Sequence, residues 1–535
     1  MTKYVKAIKD FSGGLSEVAN DNIPDNRLVT AKNVVPGDGY GIARASGTSI
    51  ALDRITATGP VVFLAELVEE DDGVETTHII AGVEKDADTW NLYDWGGEDW
   101  TLVTDSNENA DISPILSWFV YTNTLFWLDG TSFKQYDGDE IALVTKDQDT
   151  EQNTWSYLQT AVAVEQHNGR WFFAMPDNQI VWSEVGYYDK IVSTNMIPVL
   201  PGVNDHITAL HEFNDGLLVF LSRSVFNLAG SDFNTLSDLS MVKLSVESGT
   251  KWPKSIKTIS NAVLYLGDNG VYRLSIPYFT SAVAAKNISD KQASKRLTEA
   301  AHDVYAEVFN GVYYIALRTP SEVKEYRYYL DAGSWWGEYT QQPYCYASRL
   351  AGRDRLYLGC ANGYIMYYDA ASSHYISTAN GAVISIPVEV LTKGYDVVGG
   401  TVIDSKVKRV FIVFKQYDAE RSGLTVQVKT DYTEGAWEAN IDSMRGVVTA
   451  VLRDVSGDES LVWSEGIWSQ AYWGWIDTVT KQFQLNKKCK RVQFKFMDDS
   501  SDEPLLVYGI AMLYKKKKAK GSRMGIEERT VTYNN

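Results

Sequence analysis

Cysteine is scarce in this sequence: its 535 residues include three, Cys345, Cys360 and Cys489. Their odd number and irregular spacing exclude the paired framework of a small disulfide-stapled secreted domain. Long apolar runs are missing too, because no stretch reaches the roughly 18 residues of a membrane helix. Residues 1–6 begin the chain without the apolar core of a signal peptide. We therefore expect buried reduced thiols, no membrane span and synthesis in the cytosol.

Motifs that carry chemistry are equally scarce. The six histidines include no HExxH pair and no pair at metal-ligand spacing, so all of them, His211 included, are interpreted as structural. Neither a GxSxG nucleophile motif nor a P-loop occurs. A glycosidase would need two facing carboxylates, and among 69 acidic residues the sequence cannot select a pair. We expect a protein that is not an enzyme, with no catalytic residue, cofactor or metal.

Positive charge is the third deficit, because 50 basic residues against 69 acidic ones give a formal net charge of -19. Such a surface repels phosphate, which argues against a protein that wraps or reads nucleic acid. It is compatible with a channel through which DNA slides without being gripped. Solubility alone is the alternative explanation for the acidity.

A repeat of predicted hairpins is the strongest signal that is present. Each unit has a short apolar run, a turn rich in Gly, Asn or Asp, and a second run with an aromatic residue. The units start near residues 79, 125, 171, 217, 263, 312 and 356. A spacing of roughly 46 residues with a hairpin in each unit predicts an all-β fold, a β-propeller of six or seven blades. A β-sandwich or solenoid with accidental spacing is the alternative.

The hairpin rhythm ends near residue 376, which suggests a domain boundary. Residues 1–55 are predicted to be an N-terminal arm that joins a propeller of residues 56–375. Long strands predicted at 384–391, 407–415, 424–430, 491–496 and 505–514 favour a β-sandwich-like domain over 376–515, with a long insertion at 440–476. Residues 516–535 are predicted to be a basic polar tail, and a helix is predicted at 289–305 with Ser289 as its cap.

Two groups of residues are candidate contact sites. Trp463, Trp468, Trp473 and Trp475 crowd into the insertion, where they could form a subunit interface, a gate, a sugar-stacking surface or ordinary core. Lys515, Lys516, Lys517 and Lys518 form a basic run that is either a solvated tail or a docking segment for an acidic neighbour or DNA.

Several segments together resemble a known family. They read DFSGGL at 10–15, PDNRL at 24–28, AKNVVPGDG at 31–39 and RASG at 44–47, followed by QIVWSEVG at 179–186 and RVQFKF at 491–496. The opening resembles that of phage tail hub, nozzle and packaged-DNA stabilisation proteins. Ser16 stands where that family usually has Asn, and Asp38 interrupts its glycine pair.

The resemblance implies a structural virion protein in the tail of a short-tailed bacteriophage. It implies a homo-oligomer, expected to be a hexamer, whose tube retains packaged DNA and conducts it during ejection. Its partners would be other tail proteins, namely an adaptor, a fibre or a needle, with genomic DNA passing without sequence-specific contact. Two alternatives stay open: a host receptor-binding propeller that binds or cleaves carbohydrate, and a cellular protein-interaction propeller.

Overall fold

The computed structural model describes residues 3–18, 23–71, 74–200, 202, 204–214, 216–230, 239–244, 246–275, 284–299, 301–372, 374–398, 405–415, 424–430, 448–452, 478–498 and 506–516. The chain folds as two units. The propeller unit comprises Gly14–Val18 and Ala45–Ile386, and the second unit comprises Met1–Gly13, Ala19–Arg44 and Pro387–Asn535. No helix in the described ranges has the length and hydropathy needed to cross a membrane.

The propeller unit is a succession of small antiparallel sheets, with strands numbered β1–β43 along the whole chain. The first two sheets contain β6 (Val61–Asp71), β7 (Val74–Asp86), β8 (Thr89–Trp95), β9 (Trp100–Leu102) and β10 (Asp111–Ile112), then β11 (Ser117–Tyr121), β12 (Thr124–Leu128), β13 (Phe133–Tyr136) and β14 (Ile141–Leu143). The next two contain β15 (Ala163–His167), β16 (Arg170–Ala174), β17 (Gln179–Trp182) and β18 (Met196–Pro198), then β19 (Ile207–Phe213), β20 (Gly216–Leu221), β21 (Val225–Ala229) and β22 (Ser240–Lys243).

The fifth sheet contains β23 (Lys257–Ile259), β24 (Ala262–Gly267), β25 (Gly270–Ser275) and β26 (Ala284–Asn287). A four-stranded meander follows, with β27 (Asp303–Phe309), β28 (Val312–Arg318), β29 (Val323–Tyr329) and β30 (Ser334–Tyr339). The last sheet contains β31 (Cys345–Leu350), β32 (Arg353–Gly359), β33 (Ile365–Asp369) and β5 (Gly47–Ile50). β34 (His374–Ile376) pairs with β35 (Val383–Ser385), and the helices are α1 (Gln152–Leu158) and α2 (Ser294–Leu297).

These sheets form a β-propeller, as the sequence predicts. Six small sheets stand in a ring, and the meander β27–β30 adds its first strand to the same ring, because β27 runs beside both β23 and β31. Six sheets in a ring are the arrangement of a six-bladed propeller, and the meander stands beside them like a seventh blade because its first strand lies in the same ring. The N-terminal strand β5 completes the last blade by pairing with β33, so two distant parts of the chain close the ring.

Apolar side chains fill the spaces between neighbouring blades. Ile80 and Trp127 belong to the cluster between the first and second sheets. Ile79 and Ile365 belong to the cluster that joins the last sheet to the first. Burial of each such side chain stabilises the fold by about 1.5–3 kcal/mol, and a blade gains it only against its neighbours.

The buried middle strands explain the consecutive apolar runs in the sequence. β16, β20 and β24 are buried at every position because blades cover both of their faces. Each of the seven predicted hairpins is the second and third strand of one blade, paired as β7–β8, β12–β13, β16–β17, β20–β21, β24–β25, β28–β29 and β32–β33.

The second unit contains two antiparallel sheets. One is ordered β3 (Val34–Pro36), β4 (Ile42–Arg44), β43 (Leu506–Lys516), β38 (Ser405–Lys415) and β41 (Thr478–Cys489), with β1 (Tyr4–Ile8) also paired to β43. The other is ordered β2 (Leu28–Lys32), β36 (Val388–Thr392), β42 (Arg491–Asp498), β39 (Leu424–Thr430) and β40 (Val448–Leu452), with β37 (Tyr395–Asp396) paired to β42. Both sheets therefore contain strands from the beginning and the end of the chain.

The structure divides the N-terminal residues differently from the prediction of a 1–55 arm. Most of the first 44 residues belong to the second unit, where β1–β4 join its sheets, and Gly14–Val18 and Ala45–Ile386 form the propeller unit. The helix predicted at 289–305 is wrong in extent, because α2 covers only Ser294–Leu297 and β27 already begins at Asp303. The Lys and Glu residues of this segment are compatible with a helix, but the residues from Asp303 onward instead pair as β27 with β28.

Candidate binding cavity on the propeller axis

A cavity of about 520 Å³ lies where the first strands of all seven blades meet. It is lined by residues 62–66, 115–118, 162–165, 208–211, 253–254, 256–257, 305–307 and 345–349. A second space of about 740 Å³ shares several of these residues near the strand beginnings, among them Val162 and Thr208. The axis of the propeller therefore holds a half-open site of the size that small-molecule ligands occupy.

Ionisable side chains gather at one end of this cavity. Since all first strands of a propeller run the same way, the last lining residues of the strands meet at one mouth. Six of these seven last residues are polar: Glu66, Glu165, His211, Lys257, Glu307 and Arg349. The seventh is Trp118, whose side chain is 43% exposed. The mouth thus combines hydrogen-bond donors and acceptors with one aromatic surface.

Two contacts between neighbouring blades organise part of this mouth. Nζ of Lys257 donates to Oε2 of Glu307 at 2.8 Å. Nε2 of His211 lies 2.8 Å from the hydroxyl of Thr258. Burial, with a smaller effect of nearby Lys257, lowers the pKa of His211 to about 4. His211 is therefore a neutral imidazole at physiological pH.

Glu165 is the most perturbed carboxyl of the cavity. Burial raises its pKa to about 7, and the charge of Glu212 adds to the effect, while the N–H of Gln166 and Lys257 oppose it. Glu212 itself lies 2.9 Å from Nδ1 of His167. A carboxyl with a pKa near 7 can donate as well as accept a hydrogen bond at neutral pH, which is a property of many functional sites.

Glu66 and Trp118 present unused binding capacity to the cavity. Oε2 of Glu66 is buried, and no donor from the described part of the chain reaches it. Buried polar atoms normally have a partner, so this one calls for an explanation. The ring of Trp118 meets Phe63 edge to face, with centroids 5.3 Å apart and an interplanar angle of 87°. That contact holds the indole while leaving part of it open.

Positive charge lies deeper, between the two spaces. Nζ of Lys254 contacts the hydroxyl of Tyr305 at 2.9 Å and Oδ2 of Asp303 at 3.5 Å. The same ammonium stands 4.3 Å from the ring centroid of Tyr305 and 5.4 Å from that of Trp90. These contacts fix Lys254 in the wall.

Of the residues singled out from the sequence, the structure describes Lys515 and Lys516. Trp463, Trp468, Trp473 and Trp475 fall outside the described residues, as do Lys517 and Lys518. Lys515 and Lys516 are the last residues of β43, and Nζ of Lys516 stands 4.9 Å from the ring centroid of Tyr4. Lys515 and Lys516 are not among the residues that line the axis cavity.

Sequence reasoning missed the cavity residues, although the repeat contained a signal for them. Glu165, His211 and Lys257 each lie in the first strand of a sheet, six residues before the predicted hairpin starts at 171, 217 and 263. A polar residue at that point of successive repeats marks the axis of a ring. A single carboxylate or a single His, considered outside the repeat, does not indicate a position on the axis.

Comparisons with known proteins assign the chain to no family. No protein-family model matches the chain, and no curated protein matches it. Among solved structures, the computationally designed Ika8 protein matches at 12% identity and a TM-score of 0.36, covering 68% of this chain and 100% of that one. The extracellular domain of the two component system BT4673 from B. thetaiotaomicron matches at 11% identity and a TM-score of 0.42, covering 71% and 56%. The WD40 domain of Neurospora crassa Pan2 matches at 10% and 0.34, covering 61% and 95%. Such low scores support no inference about function.

Proposed function

We propose that this chain is a structural tail protein of a short-tailed bacteriophage, located in the virion. Copies of it would assemble into a ring or tube at the tail hub or nozzle. That tube would retain packaged DNA and conduct it during ejection. The chain would act without catalysis.

The observation that carries the proposal is the structural role of the resembling segments. Nδ2 of Asn33 donates to the carbonyl oxygen of Pro387 at 2.7 Å. Arg44 forms a buried ion pair with Asp498, with 2.8 Å between Nη2 and Oδ2. These residues of the N-terminal segments tie the C-terminal strands of the second unit together. Motif residues with such contacts stabilise the fold, and this role fits a family of structural proteins.

The DFSGGL segment supports the same interpretation. Phe11 and Leu15 are fully buried. Gly14 has a φ of +62°, and a Cβ there would lie 2.3 Å from the carbonyl oxygen of Trp335. The N–H of Leu15 donates to that same oxygen at 2.8 Å. Only glycine tolerates both this positive φ and the close approach of the Trp335 carbonyl oxygen, so the glycine of the motif has a structural role.

Charge is consistent with passage of DNA. A net charge of -19 on each copy would make the wall of an oligomeric tube repel phosphate, and a repelled duplex moves without lasting contacts. The propeller axis is assigned no part in this role, since its cavity of about 520 Å³ has the size of a small-molecule site. The DNA path would therefore lie between subunits, around the symmetry axis of a ring.

The test is to interrupt the gene in the phage that encodes the chain. We expect heads that fill with DNA and then lose it, and particles without a complete tail. Adding purified wild-type chain to the defective lysate should restore infectivity. A Gly311→Ala chain, altered at an open turn, should restore it as well, whereas Arg44→Ala should not. Complete, infectious particles without the chain would contradict the proposal.

A carbohydrate-binding or carbohydrate-cleaving propeller is the second candidate function. One observation favours it: Glu66, Glu165 and Glu307 converge on the axis cavity beside the exposed Trp118. Carboxylates and an aromatic surface are the groups with which proteins hold sugars. Binding of a defined glycan by the purified chain would support this candidate.

A further inference from the structure

The axis cavity has no role in the tail proposal, yet it is a built site. First strands from the six sheets and the meander surround it, and the contacts Lys257–Glu307 and His211–Thr258 fix its polar groups between neighbouring sheets. Its volume falls within the roughly 300–1,000 Å³ of small-molecule sites. The charged and polar groups of its wall restrict the ligand chemistry that it can satisfy.

Charged ligands fit this wall poorly. Among the described residues, no three His, Cys, Asp or Glu side chains stand close enough together to hold a metal ion. An anion such as phosphate would lie near the carboxylates of Glu66, Glu165 and Glu307. A cation would lie near Lys254, Lys257 and Arg349 in the same wall. Mixed charge of this kind favours an uncharged ligand with several donors and acceptors.

The open polar groups and the indole define that ligand further. Oε2 of Glu66 is buried without a donor from the described residues, so it can accept a hydrogen bond from a hydroxyl. Glu165, on another blade, faces the same cavity. Trp118 is 43% exposed and held by Phe63, so it offers an apolar surface to the C–H face of a ring. A ring bearing hydroxyl groups satisfies all three.

We propose that the axis cavity binds an uncharged sugar residue, stacked on Trp118 and hydrogen-bonded by Glu66 and Glu165. The inference rests on the second candidate function and gives it a ligand class and contact residues. It does not depend on the tail proposal. The sugar can be free or the end of an oligosaccharide, since both present the same ring.

The test uses the full chain and a panel of sugars. Neutral probes are glucose, galactose, mannose and N-acetylglucosamine, and charged probes are glucosamine and sialic acid. Saturation-transfer NMR detects contact, and titration calorimetry gives affinity. We expect saturable millimolar binding of at least one neutral sugar. A glycan array carrying the bound sugar at chain ends then separates a free-sugar site from an oligosaccharide site, either of which supports the proposal.

Variants localise the binding. Trp118→Ala and Glu66→Gln should each weaken affinity at least tenfold. The matched controls Tyr187→Ala, at an aromatic ring that is 52% exposed outside the cavity, and Glu140→Gln, at an exposed carboxylate, should stay within twofold. Glu66→Gln keeps the shape of the side chain, so it remains informative if Trp118→Ala fails to fold.

The failures are distinguishable. Binding of a charged sugar alone, lost in Trp118→Ala, would overturn the uncharged class while leaving carbohydrate binding intact. Neutral-sugar binding that survives both cavity variants would overturn the assignment of the site. No binding to any probe or array glycan would overturn both this inference and the second candidate function.

Discussion

Glu165→Gln should stabilise the protein at alkaline pH and change it little at acidic pH. Burial and Glu212 raise the pKa of Glu165 from 4.5 to about 7. The folded state therefore holds this proton more tightly than the unfolded chain does. Stability from that proton is fully present below pH 4.5 and is lost as the pH rises through 7. Glutamine mimics the protonated form at every pH and so avoids the loss.

The magnitude follows from the shift. About 2.5 pKa units correspond to an energy on the order of 3 kcal/mol between pH 4 and pH 8.5. The propeller unit, from Ala45 to Ile386, should have an unfolding entropy of roughly 0.7 kcal/mol/K if it melts as one body. The Tm of Glu165→Gln should then exceed that of wild type by about 4 °C at pH 8.5 and by less than about 1 °C at pH 4.5.

Scanning calorimetry of the full chain at several pH values measures this difference. Glu140→Gln is the control, because that side chain is exposed and the variant should follow wild type throughout. A Tm difference for Glu165→Gln that does not change with pH would refute the reasoning. So would a loss of stability at pH 8.5.

Three further predictions concern packing. Gly14→Ala should destabilise the chain by about 2 kcal/mol or more, because its Cβ would meet the backbone of Trp335. Gly311→Ala has a similar left-handed φ but open space around the Cβ, and it should destabilise the chain by about 1 kcal/mol. Thermal melts compare the two variants, and equal losses of stability would refute the clash. Arg327→Met should lower the free energy of unfolding by about 3–5 kcal/mol in chemical denaturation, because the buried carboxylate of Glu325 would lose its ion-pair partner. An unchanged free energy of unfolding would contradict this prediction. The three buried cysteines should resist a thiol reagent at pH 8 in the folded protein and react with it after denaturation. Burial keeps the reagent out, and at Cys360 it also raises the pKa of the thiol to about 12. Rapid labelling of the folded protein would contradict their burial.

The hairpins were predictable because their information is local. Runs such as 217–220 and 263–266 are apolar at every position, and turns such as Asp268-Asn269-Gly270 stand between paired strands. The spacing between hairpins then predicted a ring of blades. The strand before each hairpin carries a weaker pattern, and the ligand-sized space on the axis exists only when seven such strands meet.

The pairing of strands from opposite ends of the chain could not be predicted from the sequence. β1 pairs with β43 from Tyr4–Tyr514 to Ile8–Ile510, across nearly the whole chain. No feature of residues 4–8 identifies that partner strand, so the sequence predicts only an arm that joins the propeller. The four tryptophans from 463 to 475 lie outside the described residues, and their role as an interface or gate stays a prediction.

The most direct test of the central claim is the mass of the purified full-length chain by light scattering, with electron microscopy of the same sample. We predict closed rings or tubes with a hollow axis, at about 360 kDa if six copies of the 59.9-kDa chain assemble. Where assembly needs the docking partner, the same rings should form on tailless particles. A chain that stays monomeric in solution and adds to no tailless particle would contradict a structural role in the tail.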